Sequence, residues 1–275
     1  MNIRRSALYV PCDNARAIEK AQGLPADILI LDLEDAVAPD AKRAARKSAC
    51  AAVASLRGGR EIVIRVNQPA GEWGVEDLKA AVAARPDAIL LPKVNLPDDI
   101  AAVAQLSGDI ALWTMVETPC AVLNLEAIAR AGVEALVLGA NDLVKDMGGR
   151  HRADRANLQY VMAQMVLVAR AVGITALDGV HNRIDDTEGF AAAVREARDF
   201  GFDGKTLIHP GQIAPCHAAF MPSPEDVAAA RRVLAAFADN PRAGAILLDG
   251  HMVERLDADI AQRLLARAET RAGDA

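Results

Sequence analysis

Eight apolar runs alternate with eight amphipathic stretches along most of the chain. The runs are short and continuously apolar, as in residues 27–33 (DILILDL) and 110–116 (IALWTMV). Such runs are typical of strands that are buried on both faces of a parallel sheet. Between them, apolar residues recur three and four positions apart, which predicts helices. The sequence therefore predicts an α/β fold, a (β/α)8 TIM barrel with a C-terminal lid extension.

The last part of the chain lies outside the eight repeats. Residues 240–244 (NPRAG) are typical of a linker, and residues 245–252 (AILLDGHM) predict a strand that enters a hairpin. Residues 257–268 predict an amphipathic helix. We therefore expect a catalytic barrel over residues 1–240 and a C-terminal lid or oligomerisation segment over residues 241–275.

Composition and charge narrow the class of partner. The chain has 275 residues, 52% hydrophobic and 25% charged, which is typical of a soluble globular protein. A net charge of −6 argues against a general nucleic-acid partner. No run approaches the ~20 apolar residues that span a bilayer, so we expect no membrane partner. The four cysteines have no metal-ligand or disulfide-framework spacing, which favours reduced thiols in a cytoplasmic protein: Cys12, Cys50, Cys120 and Cys216.

Polar and charged residues follow the predicted strands at their C-terminal ends. In barrel enzymes this face carries the active site, built from several strands at once. The alternative is that these residues only cap the strands, but arginine, lysine and glutamate do not suit that role well. The pattern favours a functional rim made of Asp32, Glu34, Arg65, Lys93, Glu117, Asp142, Asp178 and His209.

Glu117 and Asp142 end two consecutive strands and are candidate ligands of Mg2+, which prefers oxygen donors and retains several waters. The alternative is that Asp142 caps the next helix and Glu117 only ends its strand. The backbone at Gly139 and Ala140 allows close approach, so its amides are candidates for binding a carboxylate.

Arg65 carries a planar fork suited to a substrate carboxylate or a developing oxyanion. The alternative is a salt bridge to a rim acid such as Glu34. Asp32, Glu34 and Lys93 are candidates for orienting Arg65 and bound waters. Lys93 and Lys205 also raise the possibility of a Schiff-base aldolase, although the paired acids favour metal-dependent chemistry.

Several motifs, in the same order along nearly the whole chain, resemble the citrate lyase β-subunit-like family of the HpcH/HpaI aldolase/malyl-CoA lyase superfamily. They are residues 5–11 (RSALYVP), 32–37 (DLEDAV), 64–67 (IRVN), 91–94 (LPKV), 116–119 (VETP), 141–143 (NDL) and 201–210 (GFDGKTLIHP).

The resemblance implies a Mg2+-dependent carbon–carbon lyase that cleaves or forms a bond between an acyl-CoA and a keto acid. By matched position, Glu117 and Asp142 would hold Mg2+, and Arg65 with the Gly139–Ala140 backbone would bind the keto acid. It also implies a homotrimer or homohexamer. In malyl-CoA lyase-like members a lid from a neighbouring subunit supplies a catalytic aspartate, here Asp249.

His251 stands where that lid motif has lysine, which leaves the role of this position open. The implied mechanism is a retro-Claisen cleavage in which Asp249 takes the hydroxyl proton. Arg4, Arg5 and Arg16 are candidates for contacting CoA phosphates, or are ordinary surface charges.

Three alternatives remain open at this point. The chain could be a CoA-independent class II hydroxy-keto-acid aldolase, which would need no lid aspartate. It could instead hydrolyse the CoA thioester, or be a non-catalytic organic-acid-binding subunit of a lyase complex. Sequence alone does not distinguish the citryl-, malyl- and citramalyl-CoA types of substrate.

Overall fold

Eight short strands form a closed, entirely parallel barrel in the computed structural model, which describes residues 3–269. Each strand pairs with the next one along the chain, and the eighth pairs with the first. The predicted barrel is therefore confirmed. The strands are β1 (Ser6–Pro11), β2 (Ile28–Asp32), β3 (Glu61–Arg65), β4 (Ala88–Leu91), β5 (Ala111–Val116), β6 (Ala135–Leu138), β7 (Thr175–Asp178) and β8 (Gly204–Leu207).

Helices connect successive strands, and short 3-10 turns at Pro39–Ala41 and Pro210–Gln212 precede two of them. Helix α7 begins directly after the turn at Gly139, so Asp142 lies in its first turn. The helices of this part of the chain are α1 (Ala15–Ala21), α2 (Lys42–Leu56), α3 (Gly74–Ala84), α4 (Pro97–Ser107), α5 (Pro119–Leu123), α6 (Leu125–Arg130), α7 (Ala140–Asp146), α8 (Gln159–Val172), α9 (Thr187–Phe200) and α10 (Ile213–Phe220).

The helix predicted after Glu117 is two short helices, α5 and α6, which meet at Asn124. The backbone of Asn124 is not helical, with φ −107° and ψ 13°. Cys120 O accepts from both the backbone N–H of Asn124, at 3.1 Å, and its side-chain amide, at 2.9 Å. Asparagine suits this junction because its side chain hydrogen-bonds to nearby backbone groups in non-helical conformations.

Every second residue of seven strands contributes to one buried cluster, to which Trp113 contributes the largest side chain. Successive side chains of a strand point to opposite faces, so these residues share one phase, which we call the inward phase. The cluster consists of Ala7, Ile28, Ile30, Val63, Ala88, Leu90, Trp113, Met115, Ala135, Val137 and Leu177.

By its contacts the chain divides into two compact units, Met1–His217 and Ala218–Ala275. The second unit contains α11 (Pro224–Asp239), β9 (Ala245–Leu248), β10 (His251–Glu254) and α12 (Arg255–Glu269). Helix α11 is thus grouped with the C-terminal elements, whereas the boundary at residue 240 stays a prediction. Residues 270–275 of the predicted lid segment lie outside the described residues.

Strands β9 and β10 form the predicted hairpin, with Leu248 opposite His251. The two residues between them, Asp249 and Gly250, both have positive φ, at 51° and 81°. This is the two-residue turn that matches the twist of antiparallel strands, and it favours Asn-Gly or Asp-Gly. Across residues 3–269, none of the helices combines the length and the apolar character needed to span a bilayer.

Candidate metal and substrate site

The inward phase ends in charged residues at the C-terminal rim of the barrel. Asp32 and Arg65 lie two residues beyond Ile30 and Val63, and Glu117 lies two beyond Met115. A cavity of about 260 Å³ lies at these strand ends. Its wall includes six of the predicted site residues: Asp32, Arg65, Glu117, Gly139, Ala140 and Asp142.

Arg65 is held by its neighbours on β2. Its Nε and Nη2 donate to Asp32 Oδ1 and Oδ2, both at 2.7 Å, and its guanidinium lies 4.7 Å from the centroid of the Tyr9 ring. The predicted alternative of a rim salt bridge is therefore present, with Asp32 as the main partner. Because arginine has five N–H donors, this pair leaves others for a substrate.

Two further acids approach the same guanidinium. Arg65 Nη1 lies 2.8 Å from Glu34 Oε2 and 3.4 Å from Asp35 Oδ2. Glu34 Oε2 nonetheless accepts no hydrogen bond of good geometry from the described residues. Burial raises the pKa of Glu34 to about 8, and neighbouring carboxylates act in the same direction against Arg65.

Ion pairing outweighs burial in setting the pKa values of both Asp32 and Arg65. Burial would raise the pKa of Asp32, but Arg65 and two backbone amides outweigh it and hold that pKa below its usual value. Burial would lower the pKa of Arg65, but Asp32 outweighs it, and the net pKa lies well above the usual value. The pair is therefore charged at neutral pH.

The two predicted metal ligands converge on one ammonium group. Lys93 Nζ contacts Asp142 Oδ2 and lies 3.8 Å from Glu117 Oε1. The Lys93 amide also donates to Glu117 Oε1 at 2.8 Å. Burial raises the pKa of Glu117 even with Lys93 opposing that rise. A positive charge therefore already lies between these two carboxylates.

The donor set at this position fits Mg2+. Two carboxylates, one directly after β5 and one on α7, leave most of an octahedral shell for water and substrate, as Mg2+ sites usually do. Glu117 and Asp142 are two carboxylates beside one ammonium group, that of Lys93, so a divalent cation would balance the remaining negative charge. No ready-made cluster of three Asp, Glu, His or Cys ligands occurs within residues 3–269.

Gly139 is important to the site because it has no side chain, not because its amide binds a ligand. Its N–H donates to Val116 O at 3.0 Å, so it is not available to a ligand. A Cβ at this position would lie 2.6 Å from Glu117 Oε2, so any other residue would displace the carboxylate. Of the two predicted carboxylate-binding amides, that of Ala140 has no acceptor that we find within residues 3–269.

The remaining predicted residues lie elsewhere. Asp249 is in the second unit, where its side chain is 63% exposed and pairs with Arg232 at 3.2 Å. His209 accepts a hydrogen bond from the Gly211 amide through Nδ1 at 3.1 Å and caps a 3-10 turn.

The expectation that Arg4 and Arg5 meet CoA phosphates at the mouth is wrong. Both precede β1, so they lie at the N-terminal face of the barrel, opposite the cavity. Arg4 Nε donates to Glu61 Oε2 and Arg5 Nη2 to Asp27 Oδ1, both at 2.7 Å. Arg16, on α1, is exposed and stays a prediction.

Sequence reasoning missed part of the cavity wall. Met115 and Thr206 could have been found, because they lie on strands in the inward phase just before the polar rim. Val180, Asn182 and Ile208 follow β7 and β8 in loops, where no periodicity marks them. Tyr9 also lines the cavity, whereas Trp113 lies in the core with Arg4 4.9 Å from its ring centroid.

The closed barrel, the acidic rim and the Arg65 guanidinium together define a (β/α)8-barrel enzyme whose centre has the ligand set of a divalent cation. The profile of the HpcH/HpaI aldolase/citrate lyase family matches residues 5–210. The chain belongs to this family, and the resemblance noted in its motifs is confirmed.

Relatives of the chain carry two kinds of name. The chain is 45% identical to the (3S)-malyl-CoA thioesterase of Cereibacter sphaeroides, over 96% of this chain and 94% of that one. It is 33% identical to the citrate lyase subunit beta of Escherichia coli, over 97% and 93%.

A solved relative holds the predicted cofactor. The CitE protein of Mycobacterium tuberculosis, in complex with magnesium, acetoacetate and coenzyme A, superposes with a TM-score of 0.84 at 33% identity, covering 96% of this chain and 98% of that one. Magnesium in this relative agrees with the predicted cofactor, and the enzyme prediction is confirmed at the level of the family.

Proposed function

We propose that this chain catalyses Mg2+-dependent cleavage of the carbon–carbon bond of a malyl-CoA-type ester, releasing an acyl-CoA and a small keto acid. The observation that carries the proposal is the adjacency of one guanidinium, Arg65, to the carboxylate pair Glu117 and Asp142 in one cavity. A 3-hydroxyacyl-CoA with a free carboxylate needs both features. The acyl-CoA names of the relatives support the choice of ester.

The cavity favours a keto acid with a single carboxylate. Arg65 is the only lysine or arginine that lines it in the described chain, and much of the rest of the wall is apolar: Met115, Leu138, Val180 and Ile208. A volume of about 260 Å³ suits glyoxylate or pyruvate but not CoA, which would lie outside. A second carboxylate, as in oxaloacetate, would face Asp35 or apolar side chains at a cost in desolvation.

Each residue then has one task. Glu117 and Asp142 would hold Mg2+, which supplies Lewis acidity at the substrate hydroxyl and carboxylate. Arg65 and the Ala140 amide would hold the carboxylate, and the position of Arg65 is fixed by Asp32. The hydroxyl proton passes to a base, for which Asp249 is the candidate. The C2–C3 bond breaks, its electron pair passes to the thioester enolate, and protonation of that carbon gives acetyl-CoA.

Hydrolysis of the same ester is the second candidate. It is favoured by the 45% identity to a malyl-CoA thioesterase, which exceeds the identity to the lyase subunit. Water would add to the thioester carbonyl and the C–S bond would break, giving malate and CoASH. Substrate binding through Arg65 and the metal site would be the same for both reactions.

Ser6, His217 and Asp27 have the composition of a serine triad but not its geometry. Ser6 Oγ lies 2.7 Å from His217 Nε2, and Asp27 is nearby. However, Asp27 Oδ1 lies 3.5 Å from that same nitrogen, whereas a triad needs the acid on the other ring nitrogen. Ser6 is also fully buried at the N-terminal face. A thioesterase activity would therefore use the cavity at the C-terminal rim of the barrel.

Product analysis tests the proposal. Malyl-CoA, citramalyl-CoA and citryl-CoA are each incubated with the protein and Mg2+ in separate reactions. The products are identified by mass. We expect acetyl-CoA and glyoxylate from malyl-CoA. Malate and CoASH would instead establish the second candidate.

Two outcomes would overturn both candidates. Turnover of a hydroxy-keto acid without CoA, but of no CoA ester, would establish the class II aldolase. Binding of Mg2+ and glyoxylate without any turnover would favour the non-catalytic subunit.

The trimer or hexamer is likewise part of the proposal, and light scattering on the purified chain tests it.

A further inference from the structure

A second group of charges lies on β7 and β8 in the phase opposite to the cavity. Asp178 and Lys205 follow and precede the inward residues Leu177 and Thr206, and both side chains are 0% exposed. Neither lines the cavity. Lys205 Nζ donates to Asp178 Oδ2 at 2.6 Å and to the carbonyl of Gly179.

Two more residues complete what we call the β7–β8 charge cluster, namely Arg155, Asp178, Glu196 and Lys205. Arg155, before α8, donates from Nη1 to Asp178 Oδ2 at 2.8 Å. Its Nε lies 3.0 Å from Glu196 Oε2 on α9. The cluster therefore joins β7 and β8 to α9 and to the segment before α8, with two cations and two acids.

Burial of these charges is costly, so their arrangement needs a reason. Desolvation lowers the pKa of Lys205, with Asp178 opposing it, and would raise the pKa of Asp178, which Lys205 and Arg155 hold below its usual value. A buried ion pair is weak evidence for stability, because an apolar pair of similar volume often serves as well. The contacts of the cluster suggest a positioning role instead.

Gly179 connects the cluster to the cavity. Its carbonyl accepts from Lys205, and a Cβ at Gly179 would lie 2.7 Å from Leu138 O and 3.3 Å from Ala140 Cβ. The backbone after β7 is thus in direct contact with the turn between β6 and α7. Gly139 in that turn lies equally close to the Glu117 carboxylate. The packing is continuous from Lys205 to a candidate metal ligand.

We propose that Lys205, paired with Asp178, is a positioning residue: it holds the Gly179 backbone against the Leu138–Ala140 turn and so fixes the Ala140 amide and Asp142. This inference rests on the proposed function for its catalytic consequence, but the position of the turn can be tested without it. Loss of the ammonium releases the Gly179 carbonyl and leaves Asp178 with Arg155 alone.

The experiment compares three single variants, and the double variant of Lys205→Met with Gly179→Ala, with the full-length wild type. Lys205→Met removes the ammonium, and Gly179→Ala separates the same two turns by a steric contact without changing a charge. Arg4→Met is the matched control, because it removes a mostly buried cation at the opposite face of the barrel. Amide hydrogen exchange is followed by mass spectrometry over residues 136–146, and glyoxylate binding with saturating Mg2+ is measured by calorimetry.

We expect exchange in residues 136–146 to accelerate at least tenfold in Lys205→Met and in Gly179→Ala, but not in Arg4→Met. Glyoxylate affinity should fall at least tenfold in the same two variants. Since both act through one spacing, the double variant should lose less than the product of the single losses. If Lys205→Met does not fold, Gly179→Ala still tests the spacing.

Unchanged exchange in both variants, or equal acceleration in Arg4→Met, would overturn the positioning role. If exchange accelerates as expected but the wild type neither binds glyoxylate nor turns over an acyl-CoA ester, the positioning role stands and the proposed function fails. The two results are therefore distinguishable.

Discussion

Asp32 and Arg65 are register partners at the ends of β2 and β3, and their side chains form two parallel hydrogen bonds of 2.7 Å. The pair fixes the plane of the guanidinium at the edge of the cavity. A lysine could reach the same carboxylate only as a point charge, without the fork that holds this plane. The orientation of Arg65 is therefore set before any substrate binds.

Arg65→Lys should reduce kcat/KM for the true ester by about 10²–10³-fold, the range typical for loss of one charge-stabilising donor. Steady-state kinetics with Mg2+ measure the change. Arg130→Lys is the control, because Arg130 is exposed and its ion pair is with Glu126 on its own helix. A loss smaller than threefold in Arg65→Lys would contradict the role of Arg65 in substrate binding.

Glu117→Gln and Asp142→Asn should each weaken the apparent affinity for Mg2+ by at least about 10–100-fold, because each removes one of two anionic ligands. Activity as a function of Mg2+ concentration measures this, and a Mg2+-dependent thermal shift checks it without turnover. Asp146→Asn, an exposed change on the same helix as Asp142, is the control. EDTA should abolish activity and added Mg2+ should restore it; activity that survives EDTA would exclude the metal site.

Lys42 stabilises the loop that carries Glu34. Lys42 is only 5% exposed. Its ammonium group donates to Leu33 O, Glu34 O and Asn67 Oδ1 at 2.7–2.9 Å. Lys42→Met would remove a donor from each of these acceptors. Leu33 O would keep the Asn67 side-chain amide and Glu34 O the Val37 amide, whereas Asn67 Oδ1 would have no donor that we find within residues 3–269.

We expect Lys42→Met to lower the free energy of unfolding by about 2–4 kcal/mol, since buried polar groups that lose a charged partner keep their desolvation cost. Urea denaturation measures it. Lys47→Met, on the exposed side of the same helix, should stay within about 0.5 kcal/mol of wild type. Equal effects of the two substitutions would show that the Lys42 contacts contribute nothing specific.

The barrel could be predicted from the sequence because burial on both faces leaves a continuous apolar signal. In β2 the run ILILD ends in Asp32, and the run of β5 ends just before Glu117, so the acids at the rim were visible as polar stops. Arg65 was visible in the same way. Their convergence follows from the parallel order of the strands alone.

Other features depend on geometry that periodicity does not carry. Asp178 was placed with the rim acids, although its phase directs it away from the cavity and towards Lys205 and Arg155. The contact of Lys93 with both Glu117 and Asp142 joins residues 24 and 49 positions apart. Gly139 was expected to bind through its amide, but the neighbouring strand accepts that N–H. Each of these features depends on tertiary contacts between residues that are distant in the sequence.

Thiol reactivity should separate the four cysteines. Burial raises the pKa of Cys216 to about 12 and also raises that of Cys12, whereas Cys120 is exposed. Because the thiolate is the nucleophile, Cys216 would be ionised to only about one part in 10⁴ at pH 8. We expect Cys120 to react first with Ellman's reagent in native protein, and all four in 6 M guanidinium. Fast reaction of Cys12 or Cys216 in native protein would contradict their burial.

The same shifts predict a stability change in alkali. The folded pKa of Cys216 lies above the unfolded value of about 8.5, so ionisation favours the unfolded chain. The stability that the buried, neutral Cys216 thiol contributes is fully present below about pH 8.5 and is lost as pH rises towards about 12. Cys216→Ala should flatten the dependence of unfolding free energy on pH in this range. An unchanged dependence would show that other groups determine it.

Asp249→Asn separates the predicted base from the hairpin that carries it. Asp249 has a φ of 51° and precedes Gly250, and Asn-Gly is the sequence that such a turn favours most. The substitution therefore keeps the hairpin while removing the carboxylate, whereas alanine would strain the backbone. Carbon–carbon cleavage should fall by about 10²–10⁴-fold, the usual contribution of a general base, with an unchanged melting temperature. Asp259→Asn, on the exposed face of α12, is the matched control. Cleavage within threefold of wild type would exclude Asp249 as the base. Loss of cleavage with retained hydrolysis of the ester would show that only the lyase reaction needs it.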